Sequence, residues 1–319
     1  MTTILVTGAT GQIGSELVPE LRRRYGAENV IAARHKTHFS DDIIAEGPTT
    51  TLNITDYEAL MTLLRGKRVK KIFHMSSVLS ALAEKNRWNA YAVNFQGVFN
   101  LLESALASGV SQVIIPSSIA AFGTKSPQMN TPNDSIQNPN TMYGISKLYA
   151  EQLGNYYQEK LGLDVRGVRL PGIISWKTEP TAGTTDYAVA IFCDAIRYGH
   201  YTCYLSSNTV LPMMYMPDAI KSLVELSEAD ASQLHHHADF NVHGFSFTPD
   251  ELAQAIQKRM PDFQIDYEID PIRQGIADSW PHSLDDTAAR KEWDWAPSFS
   301  IDEMVDDMLV NLQQKLKAS

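Results

Sequence analysis

Thr2-Thr3-Ile4-Leu5-Val6-Thr7-Gly8-Ala9-Thr10-Gly11-Gln12-Ile13-Gly14 is the stretch whose reading decides the fold. Its β-branched and apolar run predicts a short buried strand that breaks into glycines, and Glu16-Leu17-Val18 through Tyr25 follows with helical periodicity. A second strand at Val30-Ile31-Ala32-Ala33 completes a βαβ unit with the glycines at its first turn. Gly8 suits the tight turn, Gly11 lets the backbone approach a pyrophosphate, and Gly14 lets the helix pack close to the strand. Gln12 and Ile13 lie between the second and third glycines and join the same cofactor-binding set. A glycine triplet alone only ends strands; between a strand and a helix it points to a dinucleotide.

The next feature of such a unit is an acidic residue about 20 residues on, at the tip of the second strand, for the ribose 2′-hydroxyl of NAD. Arg34-His35-Lys36 stands there instead. A guanidinium at that tip can accommodate a 2′-phosphate, which brings NADP beside NAD as the expected cofactor. The bland alternative for Arg34 is stacking on adenine or pointing to water.

A third strand is expected over Thr51 to Ile54, placing Asn53 and Ile54 to meet adenine, with Asp56 capping a helix through Leu64. A fourth, Lys71 to Met75, opens into Ser76-Ser77-Val78-Leu79-Ser80, which should lie along the cofactor at the carboxyl ends of the strands. His74 reads as a packed, hydrogen-bonded core histidine. Asn86 to Ser108 has helical spacing, Gln112 to Ile115 forms a fifth strand, and Asp164 to Arg169 a sixth, broken by Leu170-Pro171-Gly172 where a nicotinamide ring would rest.

The fifth strand delivers Ser117 and Ser118 to the sheet edge, and a Pro/Asn-rich loop then leads into Thr141-Met142-Tyr143-Gly144-Ile145-Ser146-Lys147. Tyr143 and Lys147 project from one helix face with Cβ atoms roughly 6 Å apart. A free phenol titrates near pH ~10, and acting as a base near neutrality needs about 3 units less, or ~4 kcal/mol of preference for phenolate. An adjacent ammonium and an oxidised nicotinamide are positive charges of the kind required. Ser118 supplies a hydroxyl for the reacting oxygen, although serines at strand ends commonly just form turns.

The 319 residues predict an α/β architecture: a Rossmann-type doubly wound parallel sheet with a smaller mixed α/β C-terminal lobe. The expected division is residues 1–172 for the dinucleotide and 173–319 for the substrate, with Asp239-Phe240-Asn241-Val242 returning to the sheet near 239–243. A formal net charge of −10 argues against nucleic acid and membrane partners. Cys193 and Cys203 lack ligand or disulfide spacing, no secretion signal and no run of about 18 apolar residues is present, and the expectation is a cytoplasmic protein. His235-His236-His237 has no second ligand cluster near it and reads as a solvated helix end, so no metal is expected.

The ordered set of TGxxGxxG, a serine-bearing strand end and YxxxK resembles the extended short-chain dehydrogenase/reductase superfamily. Val168-Arg169-Leu170-Pro171-Gly172-Ile173-Ile174-Ser175, Gly183-Thr184-Thr185-Asp186-Tyr187-Ala188, Leu211-Pro212-Met213-Met214-Tyr215-Met216 and Ala277-Asp278-Ser279-Trp280-Pro281 narrow this. They resemble the short-chain L-threonine 3-dehydrogenase family, and the match runs essentially end to end. That resemblance implies oxidation of L-threonine to 2-amino-3-ketobutyrate with hydride passing to NAD⁺.

It further implies that Tyr143 accepts the hydroxyl proton, that Lys147 lowers the tyrosine's pKa and holds the nicotinamide ribose, and that Ser118 steadies the substrate oxygen. Ser80, Thr184, Thr185 and Trp280 would contact the substrate, and a homodimer would form through the helix starting near Asn86 and the one carrying Tyr143. The family usually has Asp at the positions of Arg34 and Asn53, Thr at Ser118, and alanines at Ser76 and Ser77. The first two departures imply a shift toward NADP. Two rival readings remain at this stage: an NDP-sugar epimerase with tightly held NAD, and a non-catalytic NAD(P) sensor.

Overall fold

A computed structural model describes residues 2–180 and 183–318. The N-terminal apolar run is strand β1 (Thr3–Thr7), whose Ile4, Leu5 and Val6 are fully buried. Burial on both faces is what an all-parallel sheet demands of its central strands. The chain continues through β2 (Val30–Arg34), β3 (Thr49–Thr51), β4 (Val69–His74), β5 (Gln112–Ile114), β6 (Ser117–Ser118) and β7 (Asp164–Arg166). Six of these form one sheet in the order β3-β2-β1-β4-β5-β7, every neighbouring pair parallel. The order reverses between β1 and β4, the place where an open α/β sheet leaves a crevice at the carboxyl ends of its strands.

The helix Gln12–Tyr25 packs Leu17, Val18 and Leu21 onto that sheet. It begins at Gln12, four residues before its apolar periodicity, because Gly11 serves as its N-cap. The strand expected over Thr51 to Ile54 is instead β3, paired Ala32↔Thr49 to Arg34↔Thr51. Asn53 and Ile54 lie beyond its end. Asp56 caps the following helix, Tyr57–Lys67, accepting from the Ala59 amide at 3.0 Å. The segment after Asn86 is helical but not uniform: Arg87–Tyr91 passes through a wide π-turn at Ala92–Gln96 before Gly97–Ser108.

The sixth strand is also two strands. After β7 the chain leaves the main sheet at Gly167, where an added Cβ would collide with the Ile115 carbonyl, and forms β8 (Val168–Leu170). Beyond β9 (Gly172–Ile174), β10 (His200–Cys203) and β11 (Leu211–Tyr215) comes β12 (Phe240–Asn241). Strand β8 pairs in parallel with both β6 and β12, so the returning strand joins a small three-stranded sheet beside the crevice. Strand β11 pairs in parallel with β9 and antiparallel with β13 (Phe245–Phe247), and β10 pairs with β14 (Gln264–Tyr267).

His235-His236-His237 is not a helix end. It follows the short turn Ala231–Gln233, and His236 sits between Glu292 at 2.8 Å and Asp134 at 3.3 Å. The paired carboxylates, Glu292 foremost, hold its pKa above the usual imidazole value against burial. Among the described residues, no helix is long and apolar enough to cross a membrane, and no group of three or more His, Cys, Asp or Glu side chains is arranged to hold a metal ion.

Candidate active site

A cleft of about 840 Å³ opens where the sheet order reverses. Its floor is the first βα turn. Gly8 has φ +64°, the left-handed region that suits glycine, and a Cβ on Gly14 would collide with the Gly8 carbonyl. Gly11, Gln12, Ile13 and Gly14 all line the cleft. Gly11 offers no capping side chain to the helix it starts, and no acidic residue occupies the first helical turn. Free amides and a positive dipole end facing a cavity suit a pyrophosphate, so the turn fits a dinucleotide.

The opposite wall comes from the β6 tip and the helix Met142–Tyr156. Thr141 caps this helix, accepting from the Gly144 amide at 3.0 Å, which places Tyr143 and Lys147 on the inward face one turn apart. Gly144 allows the close approach: a Cβ there would collide with the Ala120 carbonyl just after β6. Ser118, Tyr143 and Lys147 all line the cleft. The Lys147 ammonium donates to the Pro116 carbonyl at 2.8 Å and lies 5.4 Å from the centroid of the Tyr143 ring.

Burial sets the electrostatics of Tyr143. Burial pushes its phenol up to about 12, and a hydrogen bond with Ser118 acts against that. Burial lowers Lys147 itself to about 8, with Glu151 opposing. A buried ammonium favours its neutral form and a buried phenol likewise, so both groups are driven toward neutrality. His74, behind the lysine, is lowered to about 3 by burial and by the Lys147 charge, and its Nδ1 pairs with the Thr7 hydroxyl at 2.8 Å.

Ser77 and Ser80 line the cleft at the β4 end, where Asn94 fixes the loop by bonding the Val78 amide at 2.7 Å and the Val78 carbonyl at 2.9 Å. Pro171, Thr184, Thr185 and Trp280 line the far end. Thr184 and Thr185 also form, with Asp186, the short turn that starts after Gly183.

Arg34, Asn53, Ile54 and Ser76 do not line the cleft, and Gly8 lies beneath it. Arg34 is half-buried at the β2 tip with its guanidinium 5.9 Å from the centroid of the Phe39 ring. Asn53 is exposed and bonds the Thr55 amide and hydroxyl, while Ile54 is buried where a Cβ on Gly97 would touch it.

Two features escape the sequence reading. Asn94 lies inside a helix-periodic segment, where nothing distinguishes it from a solvated polar residue. Glu151 had a signal: it follows Lys147 by four residues on the face that carries Tyr143. Its fully buried carboxylate takes the Ser117 hydroxyl, the Arg169 guanidinium through two bonds of 3.0 and 2.9 Å, and the Gln137 amide at 2.8 Å.

Residues 4–242 match the model of the NAD dependent epimerase/dehydratase family. A curated relative from Staphylococcus aureus (strain USA300), described as an uncharacterized epimerase/dehydratase, is 43% identical over 99% of this chain and 98% of its own. Among solved structures, the L-threonine dehydrogenase of Clostridium difficile is 46% identical with a TM-score of 0.96, over 99% of this chain and 98% of that one. A monomeric L-threonine 3-dehydrogenase from a metagenome is 40% identical with a TM-score of 0.93, over 98% and 99%.

Proposed function

The chain belongs to the NAD dependent epimerase/dehydratase family, and from that membership we infer that it is a nicotinamide-dependent L-threonine 3-dehydrogenase. The observation that carries the reading is the Ser118–Tyr143–Lys147 set facing one cleft with the glycine turn on one side and Ser80, Thr184, Thr185 and Trp280 on the other. The relatives named above supply the substrate. The hydroxyls of Ser80, Thr184 and Thr185 can satisfy a carboxylate and an ammonium, and the Trp280 indole closes the pocket against water.

Oxidation removes a proton from the β-hydroxyl of L-threonine and a hydride from the carbon that bears it, leaving 2-amino-3-ketobutyrate. Tyr143 takes the proton, and Ser118 holds the reacting oxygen, which stays on the carbon as the ketone, beside it. An oxidised nicotinamide held in this cleft would supply the hydride acceptor and a positive charge. With the phenol pushed up to about 12, that added charge and the Lys147 ammonium are what the tyrosine needs to act as a base near neutrality. Gly11, Gln12, Ile13, Gly14, Ser77 and Pro171 would make up the cofactor track, with Gly8 shaping the turn beneath it and Ser76 beside it, and Lys147 would hold the nicotinamide ribose.

For the cofactor's far end, Arg34 at the β2 tip supports acceptance of NADP beside NAD, because the carboxylate that would repel a 2′-phosphate is absent. Asn53, a neutral amide, leaves the adenosine end without an acid, and Ile54 would sit at that same end.

A homodimer is the assembly this reading favours. Trp88 is 85% exposed, and Tyr91, Phe99, Ile145 and Tyr156 are also exposed on the two helices expected to meet a second copy. The ring of Tyr91 stacks at 5.7 Å on Phe95, which lies 5.1 Å from Tyr149, continuing an aromatic face across both helices. Light scattering reads the outcome directly, with a monomer removing the assembly. Two free, buried cysteines suit the reducing cytoplasm.

The deciding experiment is the initial rate of cofactor reduction with L-threonine, measured side by side with NAD⁺ and NADP⁺. Reduction with either supports the dehydrogenase. No reduction with either, together with a tightly retained nicotinamide, replaces it with an epimerase or a sensor.

A further inference from the structure

Three consecutive residues of the β6 tip are held by three residues spaced one turn apart on the tyrosine helix. Tyr143 bonds Ser118, Lys147 donates to the Pro116 carbonyl at 2.8 Å, and Glu151 accepts from the Ser117 hydroxyl. The first two belong to the chemistry described above; the third is assigned no part in it. Glu151 and Arg169 are 0% and 2% exposed, and a buried carboxylate is retained only when its acceptors are filled. Here they are filled, with Gln137 as a further donor and Arg169 anchored in turn by the Asn133 carbonyl at 2.7 Å and Asn241 at 3.2 Å.

Resting on the dehydrogenase reading, we propose that Glu151 is a positioning residue for the reaction. It holds the Pro116–Ser118 tip in register with the helix and supplies the negative charge that keeps Lys147 protonated inside the cleft. The groups facing Lys147 make this specific. Tyr143 lies on its own helix and is neutral, and His74 from β4 is neutral. Arg169 from β8 is cationic and paired with Glu151. Glu151 is thus the anion that opposes burial of the ammonium, and burial still leaves Lys147 at about 8. A carboxylate that touches neither substrate nor cofactor thereby acts on both the alignment and the charge of groups that do.

The test uses the full chain with ¹⁵N-labelled lysine, the Lys147 signal being assigned through Lys147→Arg. Its titration midpoint should lie near 8 in the unmodified protein and fall by at least roughly half a pH unit in Glu151→Gln, since a facing charge shifts a buried pKa by about a unit. Ser117→Ala leaves the carboxylate charged and cuts only the register. It should keep the Lys147 midpoint, while kcat with L-threonine falls by ~10-fold and KM changes by less than ~2-fold, the split that misalignment gives. A Lys147 midpoint unmoved in Glu151→Gln overturns the electrostatic role, and wild-type kcat in Ser117→Ala overturns the register. Should Glu151→Gln not fold, Ser117→Ala still decides the register. Absence of threonine turnover in the unmodified chain overturns the substrate reading instead, because the NMR midpoints need no substrate.

Discussion

The Lys147 ammonium hydrogen-bonds the Pro116 carbonyl at 2.8 Å while standing 5.4 Å from the centre of the Tyr143 ring. The lysine is therefore anchored to the strand tip that also presents Ser118, and the three groups of the candidate catalytic set share one support. Their alignment comes from the fold, and the same fold drives the phenol and the ammonium toward neutrality by burying them.

Tyr143→Phe tests the base most directly. It removes the phenolic oxygen and little volume, so the cleft and the glycine turn should keep their shape. Expected is a loss of kcat of ~10²-fold or more, since a positioned acid–base group contributes about 10²–10⁴. Cofactor affinity, followed by quenching of intrinsic tryptophan fluorescence, should change by less than ~3-fold. Retention of most of the turnover would take Tyr143 out of the mechanism.

Arg34→Asp tests cofactor choice. The substitution restores a carboxylate at the β2 tip, where it repels a 2′-phosphate and accepts from a ribose diol. Affinity for NADP should fall by ~10-fold or more while that for NAD holds or improves, because charge-assisted bonds contribute about 1.5–3 kcal/mol. Titration of both cofactors against the variant checks this. Equal loss for the two would mean that Arg34 stacks on a shared part of the dinucleotide.

Gly144→Ala tests the helix-to-tip approach. The added Cβ would collide with the Ala120 carbonyl and come within 2.8 Å of Pro139 Cβ, so helix and tip must separate. Overpacking of this kind costs about 1–3 kcal/mol, and misalignment by an ångström can cost ~10²-fold in rate. The expected variant folds with a lower urea midpoint and loses kcat far more than KM. Near-normal kcat would show that the Ser118–Tyr143 alignment tolerates the shift.

Much of this was legible because its signals are local. The glycine turn, the apolar β1 and β4, and the YxxxK spacing each declare themselves within a few residues, and the cleft gathers Gly11, Ser80, Tyr143 and Lys147 from them, with Trp280 legible only through the resemblance. What escaped depends on partners far away in sequence. Thr49–Thr51 is a strand because Ala32–Arg34 is beside it, and the more apolar Leu52-Asn53-Ile54 drew the reading late. Gly167 splits one expected strand into two because the Ile115 carbonyl crowds it. The phenol of Tyr143 rises to about 12 because the fold buries it, a cost that spacing to a lysine does not reveal.

His74 gives a prediction on stability with pH. Its imidazole is 3% exposed, its Nε2 is without a hydrogen-bond partner, and its folded pKa is about 3 against an unfolded value near ~6.5. The depressed pKa means that the folded state resists the proton that the unfolded chain accepts. The stability tied to this group is complete above pH ~6.5 and is lost as pH falls toward 3, by about 1.4 kcal/mol per pH unit. His74→Asn keeps a hydrogen-bonding atom for Thr7 and removes the titration. At pH 8 the variant should be less stable by about 1–3 kcal/mol from the cavity and weaker bond. Between pH 6.5 and 5 its urea midpoint should fall less steeply than that of the unmodified chain. Equal slopes would place the acid sensitivity of the fold elsewhere than at His74.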